Sequence, residues 1–426
     1  MEELFPQKFG RRGKIWVGIL LAFCMVGLVA YSKQLSKGLV VTSMRDYASW
    51  GVYISGFVFF VALSMVGSLI TVGLRFVKAP WSKSVTRIAE IISVSTIICA
   101  SLIIVVDMGR PERFLSIFSH GRLQSPIIWD AIDIVTYLFI NIFLLYFLLL
   151  PDFHILLSRR EKTGKFQNLL YKYLGSFWKN TPEQIKLNNK AINLLSIVIV
   201  PFAFAIPTSW LFATTYRPGW DSTNFGAYFI SGAFLAGAGS ILIAMYVLRK
   251  HFKLEKYFSE DRFDKMSKIV IVLALLYLYF NINEFLVPAY KMKKADEGYL
   301  LGLFVGEFAP IFWFAVFTSI VFPLVVLMSR KGRKPFPAFI VGIVVVIGSW
   351  VKRYIIVTPT LLHPFLPMHD VPESYRHYFP SWEEWAISLG FIAVALLIIT
   401  LLIRLFPVIP IQETITEIDK HHDKEV

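Results

Sequence analysis

Residues 88–108, IAEIISVSTIICASLIIVVDM, and residues 127–150, IIWDAIDIVTYLFINIFLLYFLLL, are two apolar runs joined by the short polar loop GRPERFLSIFSHGRLQSP. At ~1.5 Å per helical residue each run covers about 30 Å, the thickness of a bilayer's hydrocarbon core. The same pattern recurs along the chain, at roughly 15–33, 50–74, 191–213, 225–248, 268–290, 304–328, 337–357 and 384–406. The ten runs predict an all-α integral membrane protein. Composition agrees: 56% of the 426 residues are hydrophobic and 17% charged, which excludes an ordinary soluble domain.

The basic residues set the expected orientation. If the N-terminus is cytoplasmic, 30 of the 43 lysines and arginines fall on cytoplasmic segments, so the positive-inside rule predicts both termini inside. The net charge of +14 is thus a topology signal, spread over short loops rather than gathered on a face for nucleic acid. The expected organisation is a cytoplasmic segment 1–14, a membrane domain 15–406 and a polar, loose tail 407–426. Within the longest inner loop, Phe166, Leu169, Leu170, Tyr173, Leu174 and Phe177 recur at helical spacing and predict an interfacial amphipathic helix near 165–179. Gly232, Ala236 and Ser240, with Ala233 and Gly237 beside them, predict close helix packing on the sixth run.

Carboxylates inside a membrane are costly and mark candidate sites. Asp107, Asp130, Asp133, Glu284 and Glu307 fall toward the outer ends of their spans, and Asp221 lies in a short outer loop. Glu90 stands nearly alone on the inner side, where snorkelling to the inner surface is the favoured reading and a proton path the alternative. The two cysteines, Cys24 and Cys99, cannot hold an iron–sulfur cluster or a structural zinc ion, and none of the eight histidines falls in the middle of a span to ligate haem. No metal, haem or cluster is expected in this chain.

Two loop signatures go further. Asp107–Phe114 (DMGRPERF) followed by Ser125–Asp130 (SPIIWD), and Arg217–Thr223 (RPGWDST) before a glycine-rich span, resemble the NrfD/PsrC family of quinone-interacting membrane subunits, in its longer ten-helix branch. That branch includes the membrane subunits of alternative complex III and of quinone reductase complexes. The resemblance implies two four-helix bundles, spans 2–5 and 6–9, with flanking first and last helices. It implies a menaquinone or ubiquinone pocket near the periplasmic face of a bacterial inner membrane, capped by a periplasmic ferredoxin-like iron–sulfur subunit, with a molybdopterin-type or multihaem cytochrome c subunit beyond it.

Carried onto this sequence, Asp130 becomes the expected proton-handling group, with His120 as a second candidate. Ser125, Trp129, Trp220, Asp221 and Glu284 are the other expected quinone contacts, and Asp107, Arg110 and Arg113 would shape the loop under the partner. Where some relatives carry His in the PGW-x-ST turn, this chain has Asp221. Glu90, Asp133 and Glu284 are the candidates for a proton path. Two other classes stay open on residues alone: an ion-coupled secondary transporter, and a purely structural anchor of such a complex. Solute flux in vesicles would reveal the first, and unchanged quinone turnover after substitution of Asp130 the second.

Overall fold

The computed structural model describes residues 5, 10–68, 73–74, 81, 83–158, 164–208, 210–366, 368–412 and 414. Among them the regular structure is helical throughout: α1 (Arg11–Lys37), α2 (Val52–Ser68), α3 (Lys83–Asp107), α4 (Ser116–His120), α5 (Pro126–Ser158), α6 (Lys165–Gly175), α7 (Pro182–Thr208) and α8 (Trp210–Ala213). The second half comprises α9 (Phe225–His251), α10 (Glu260–Lys291), α11 (Lys294–Phe304), α12 (Ala309–Val316), α13 (Phe322–Met328), α14 (Pro335–Leu362) and α15 (Trp382–Leu405). Nine helical stretches among the described residues are long and apolar enough to cross a membrane, and the shorter apolar helix at Val52–Gly67 makes a tenth, matching the ten expected runs. The eighth run is not one smooth helix. A π-helical turn, Phe317–Val321, joins α12 to α13.

Helices α2, α3, α5 and α7 pack into one bundle and α9, α10, α12–α13 and α14 into a second, while α1 pairs with α15 along the flank. Small residues decide how closely the bundles meet. At the α2–α9 contact a Cβ on Gly237 would lie 2.8 Å from Val66 Cβ, and at the α9–α14 contact one on Gly342 would lie 2.6 Å from Gly239 O. The stripe on α9 therefore does what its spacing predicted, letting backbones approach where larger side chains would hold them apart.

The successive crossings alternate in direction, so the loops 38–51, 108–125, 214–224, 292–308 and 363–381 share one end, called here the DMGRPERF end. There Glu384 works as a knot. Ser381 Oγ accepts from its backbone N–H at 3.3 Å, and its carboxylate takes hydrogen bonds from Ser381 N at 2.9 Å, Ser43 N at 2.8 Å and Tyr378 Oη at 2.6 Å. This capping box starts α15 and fastens the loop after α1 to it.

The opposite end corrects one expectation. The chain from Pro407 does not leave as a loose tail: Val408, Ile409 and Ile411 are buried, and Asp152 Oδ1 accepts from Ile411 N at 3.1 Å and Gln412 N at 3.0 Å. Asp152 also forms a buried ion pair with Arg87, which donates to Leu148 O at 2.6 Å and Pro407 O at 3.1 Å. The polar composition of residues 412–426 hid the apolar anchor just before it; the part beyond 414 lies outside the described residues. The amphipathic segment is helical over Lys165–Gly175. Tyr171 turns inward to donate to Leu405 O, while Phe166, Leu169, Tyr173 and the following Phe177 remain exposed, as on a helix lying along an interface.

Candidate functional site

In the first bundle the start of α5 carries Asp130 and Asp133, three residues apart and so on one helical face. Both are buried, and their charges are near enough to repel. Asp130 Oδ1 and Asp133 Oδ2 have no hydrogen-bond partner among the described residues. Two carboxyls buried side by side, with no ion-pair partner among the described residues, are an uncompensated polar pair inside a span. Asp107, at the end of α3, adds a third such carboxyl: its Oδ1 is buried and unbonded, and among the described residues no ion pair joins it to Arg110 or Arg113, which are exposed.

Near the start of α3, Glu90 is fully buried beside Ser93 and Gly67. Gly67 N donates to Ser93 Oγ at 2.8 Å, and a Cβ on Gly67 would stand 3.0 Å from Glu90 Oε2. The expectation that Glu90 snorkels to the surface is therefore overturned. α2 covers it, and helix packing, which a hydropathy plot does not contain, is the reason. Tyr137, on α5, donates to Ser64 O at 3.0 Å and closes the same α2–α3–α5 interior.

The second bundle contains a differently made cluster. Glu284 on α10 is buried with its two oxygens 2.8 and 2.7 Å from the Ser222 hydroxyl, while Asn224 Nδ2 donates to Oε2 at 3.1 Å. Facing it electrostatically is Lys352 of α14, only 1% exposed. Its ammonium is 4.7 Å from the ring centres of both Phe285 and Phe312 and 5.5 Å from that of Tyr228. Nζ has no hydrogen-bond partner among the described residues, so ring quadrupoles and the Glu284 charge offset the cost of burying it. Arg353, also 1% exposed, lies over Phe229 at 4.9 Å, in space that Gly232 leaves open: a Cβ there would be 2.8 Å from Tyr277 Cε2 and 3.2 Å from Arg353 Nη1. Sequence reading missed Lys352 and Arg353. The signal was present, since adjacent cations inside a span are as anomalous as carboxylates there.

An aromatic pin joins the two bundles. Trp220 is 1% exposed, donates Nε1–H to Ile356 O at 2.8 Å, stacks on Trp50 at 6.1 Å and meets Phe212 edge-on at 4.8 Å. Gly219, at φ +82°, makes the turn ahead of it and presses on Tyr299, where a side chain would collide. Trp220, expected as a quinone contact, is thus enclosed in this packing with its indole N–H already taken.

Of the remaining expected residues, Trp129 is half-exposed with Nε1 donating to Leu123 O at 2.5 Å, Ser125 is half-buried, and Asp221 is exposed. His120 is exposed and bonded to Ser119 Oγ at 2.8 Å. In α11, outside the spans, burial pushes the Asp296 carboxyl up, and the nearby negative charge of Asp221 adds to that. All expected outer residues do lie at the DMGRPERF end, but they divide between bundles: Asp130, Asp133 and Trp129 in the first, Trp220 and Glu284 at the second.

Nine helices long and apolar enough to cross a membrane among the described residues, with a shorter tenth, make this an all-α integral membrane protein. The family model described as polysulphide reductase, NrfD, matches residues 40–364, and the chain belongs to that family. It is similar to a putative membrane subunit of dimethyl sulfoxide reductase from Halobacterium salinarum (26% identical, covering 94% of this chain and 92% of the relative). It is also similar to a selenate reductase subunit of Mesobacillus selenatarsenatis (23%, 96% and 97%) and to the integral membrane subunit of menaquinone reductase of Nitratidesulfovibrio vulgaris (24%, 96% and 96%).

Proposed function

We propose that this chain is the quinone-interacting membrane subunit of a multi-subunit oxidoreductase in a bacterial inner membrane, and that Asp130 is its first proton acceptor. The observation that carries the reading is the buried pair formed by Asp130, which closes SPIIWD, and Asp133 one turn on, with no ion-pair partner among the described residues. Full-length similarity to a menaquinone reductase subunit supports the substrate class.

Oxidation of a quinol releases two electrons and two protons. A carboxylate within hydrogen-bond reach of a ring hydroxyl takes one proton, and a neighbour shares the load. Asp133 is that neighbour, while Asp107 lies at the adjacent end of α3. The electrons pass to a cofactor of a partner, a periplasmic iron–sulfur subunit docked over the exposed Arg110 and Arg113, with a molybdopterin or multihaem cytochrome subunit beyond it. The reverse direction, quinone reduction, uses the same groups with protons donated.

Glu90, deep in the same bundle, extends a proton route inward from Asp133 through the hydroxyl-lined interior of α2, α3 and α5. Glu284, already hydrogen-bonded and opposite Lys352, is a poorer first acceptor. A proton route through it would be separate. His120, exposed on α4, serves as the relay between the pocket and water.

In the purified complex Asp130→Asn should lower quinol turnover at least about 100-fold at unchanged subunit stoichiometry, because the amide keeps the shape but accepts no proton there. Wild-type turnover across the pH range would remove Asp130 from the chemistry.

A further inference from the structure

Away from Asp130, the second bundle has a half-open cavity of about 540 Å³ toward the DMGRPERF end, between the start of α12, the second half of α14 and the loop leading into the first turn of α15. Its walls are mainly aromatic. Trp350 stacks with Tyr354 (6.3 Å, 14°) and packs on Trp385 (5.6 Å), while Phe308 and Phe314 contribute from the α12 side. The Tyr378 side is rigid, because its hydroxyl donates to Glu384 at 2.6 Å and accepts from Val52 N at 3.0 Å. The charged group of the lining is Glu307, exposed at the rim. Trp385, Ile311 and Phe314 are 37–48% exposed on the outer flank of the helices, the side a bilayer would cover.

We propose that this cavity is a second quinol site, taking the planar ring of an isoprenoid quinol with its tail leaving between α12 and α15 into lipid. The substrate class rests on the functional reading above; the location does not. Flat indole and phenol walls suit a planar ring, and the volume holds a bicyclic head with the first isoprene units, within the usual ~300–1,000 Å³ of ligand pockets. The Glu307 carboxylate can accept a hydrogen bond from a quinol hydroxyl but repels a phosphate, so the rim disfavours an anionic phospholipid headgroup. Val351 of the lining adjoins Lys352 in α14, whose ammonium lies 4.7 Å from the ring centre of Phe312. The second site therefore sits beside the buried charge cluster of its own bundle, as the first sits beside Asp130.

The test is photolabelling of the intact complex in its native membrane with an azido-naphthoquinone bearing one isoprene unit, reduced to the quinol, followed by peptide mapping. Label is expected both in 126–137 and in 307–314 or 378–385. Glu307→Leu should cut the second label at least 5-fold and leave the first unchanged. Label confined to 126–137 overturns the second site and leaves the functional reading standing. Label confined to the groove supports the second site and removes the first-bundle pocket. Groove label displaced by phosphatidylglycerol as readily as by unlabelled quinol would make it a lipid groove and overturn the proposal. Label nowhere in the chain overturns both.

Discussion

The two bundles bury acidic groups in opposite ways. In the first, Asp130 and Asp133 lie together with unbonded oxygens and no cation beside them in the described geometry. In the second, Glu284 is seated on Ser222 and Asn224 and faces Lys352. A buried carboxyl with unbonded oxygens leaves room for a further partner, whereas one already seated on a hydroxyl and an amide is tied into the packing around it. Buried carboxyls toward one end of the molecule therefore stand unbonded in one half and hydrogen-bonded in the other.

The contrast is broken most directly at Glu284. Glu284→Ala leaves the Ser222 hydroxyl without its acceptor, removes one of the two Asn224 amide bonds and opens a cavity in the packed interior, a loss of about 2–4 kcal/mol. The thermal unfolding midpoint of the purified complex should fall steeply. Undiminished stability with lost turnover would instead make the second bundle the proton-handling half. Asp130→Asn is the mirror experiment: turnover falls about 100-fold, equivalent to about 2.7 kcal/mol of barrier, while the midpoint stays within a degree or so, since the amide fills the same space as the carboxyl. A large loss of stability would show that Asp130 is structural.

Two smaller changes sharpen the picture. Gly232→Ala pushes a methyl group against Tyr277 and Arg353 and should cost about 1–3 kcal/mol by overpacking, measured as a shift in the same midpoint. No shift would mean that the Arg353 site is loose. Ser222→Ala removes one hydroxyl donor from Glu284 and should cost about 1 kcal/mol, with turnover unchanged. A turnover defect there would place Glu284 in the reaction path.

Much of the molecule was legible in advance because membrane insertion is decided locally. Every backbone polar group in a bilayer must bond within its own helix, so runs of about twenty apolar residues announce their spans one by one. The stripe on α9 likewise announced close packing, because glycine and alanine act by what they lack. Candidate carboxylates were legible too, since charge in an apolar run is conspicuous. Their environments were not. Whether Glu90 reaches water or is covered by α2, and whether Trp220 faces lipid or pins α14 to α2, depend on neighbours far away along the chain.

The sequence by itself determined the all-helical membrane class, the ten crossings, the family and the end of the bundle where its acidic groups collect. Only the tertiary structure decided that Asp130 and Glu284 belong to different bundles, that Lys352 stands opposite Glu284, that Arg87 and Asp152 anchor residues 407–412, and that aromatic side chains from α12, α14 and the approach to α15 enclose a cavity. The physical reason is the range of the forces involved. Hydropathy and helical hydrogen bonding act within a few turns of one segment, whereas compensation of a buried charge depends on which segment packs against it, and that is fixed only when all the helices are in place.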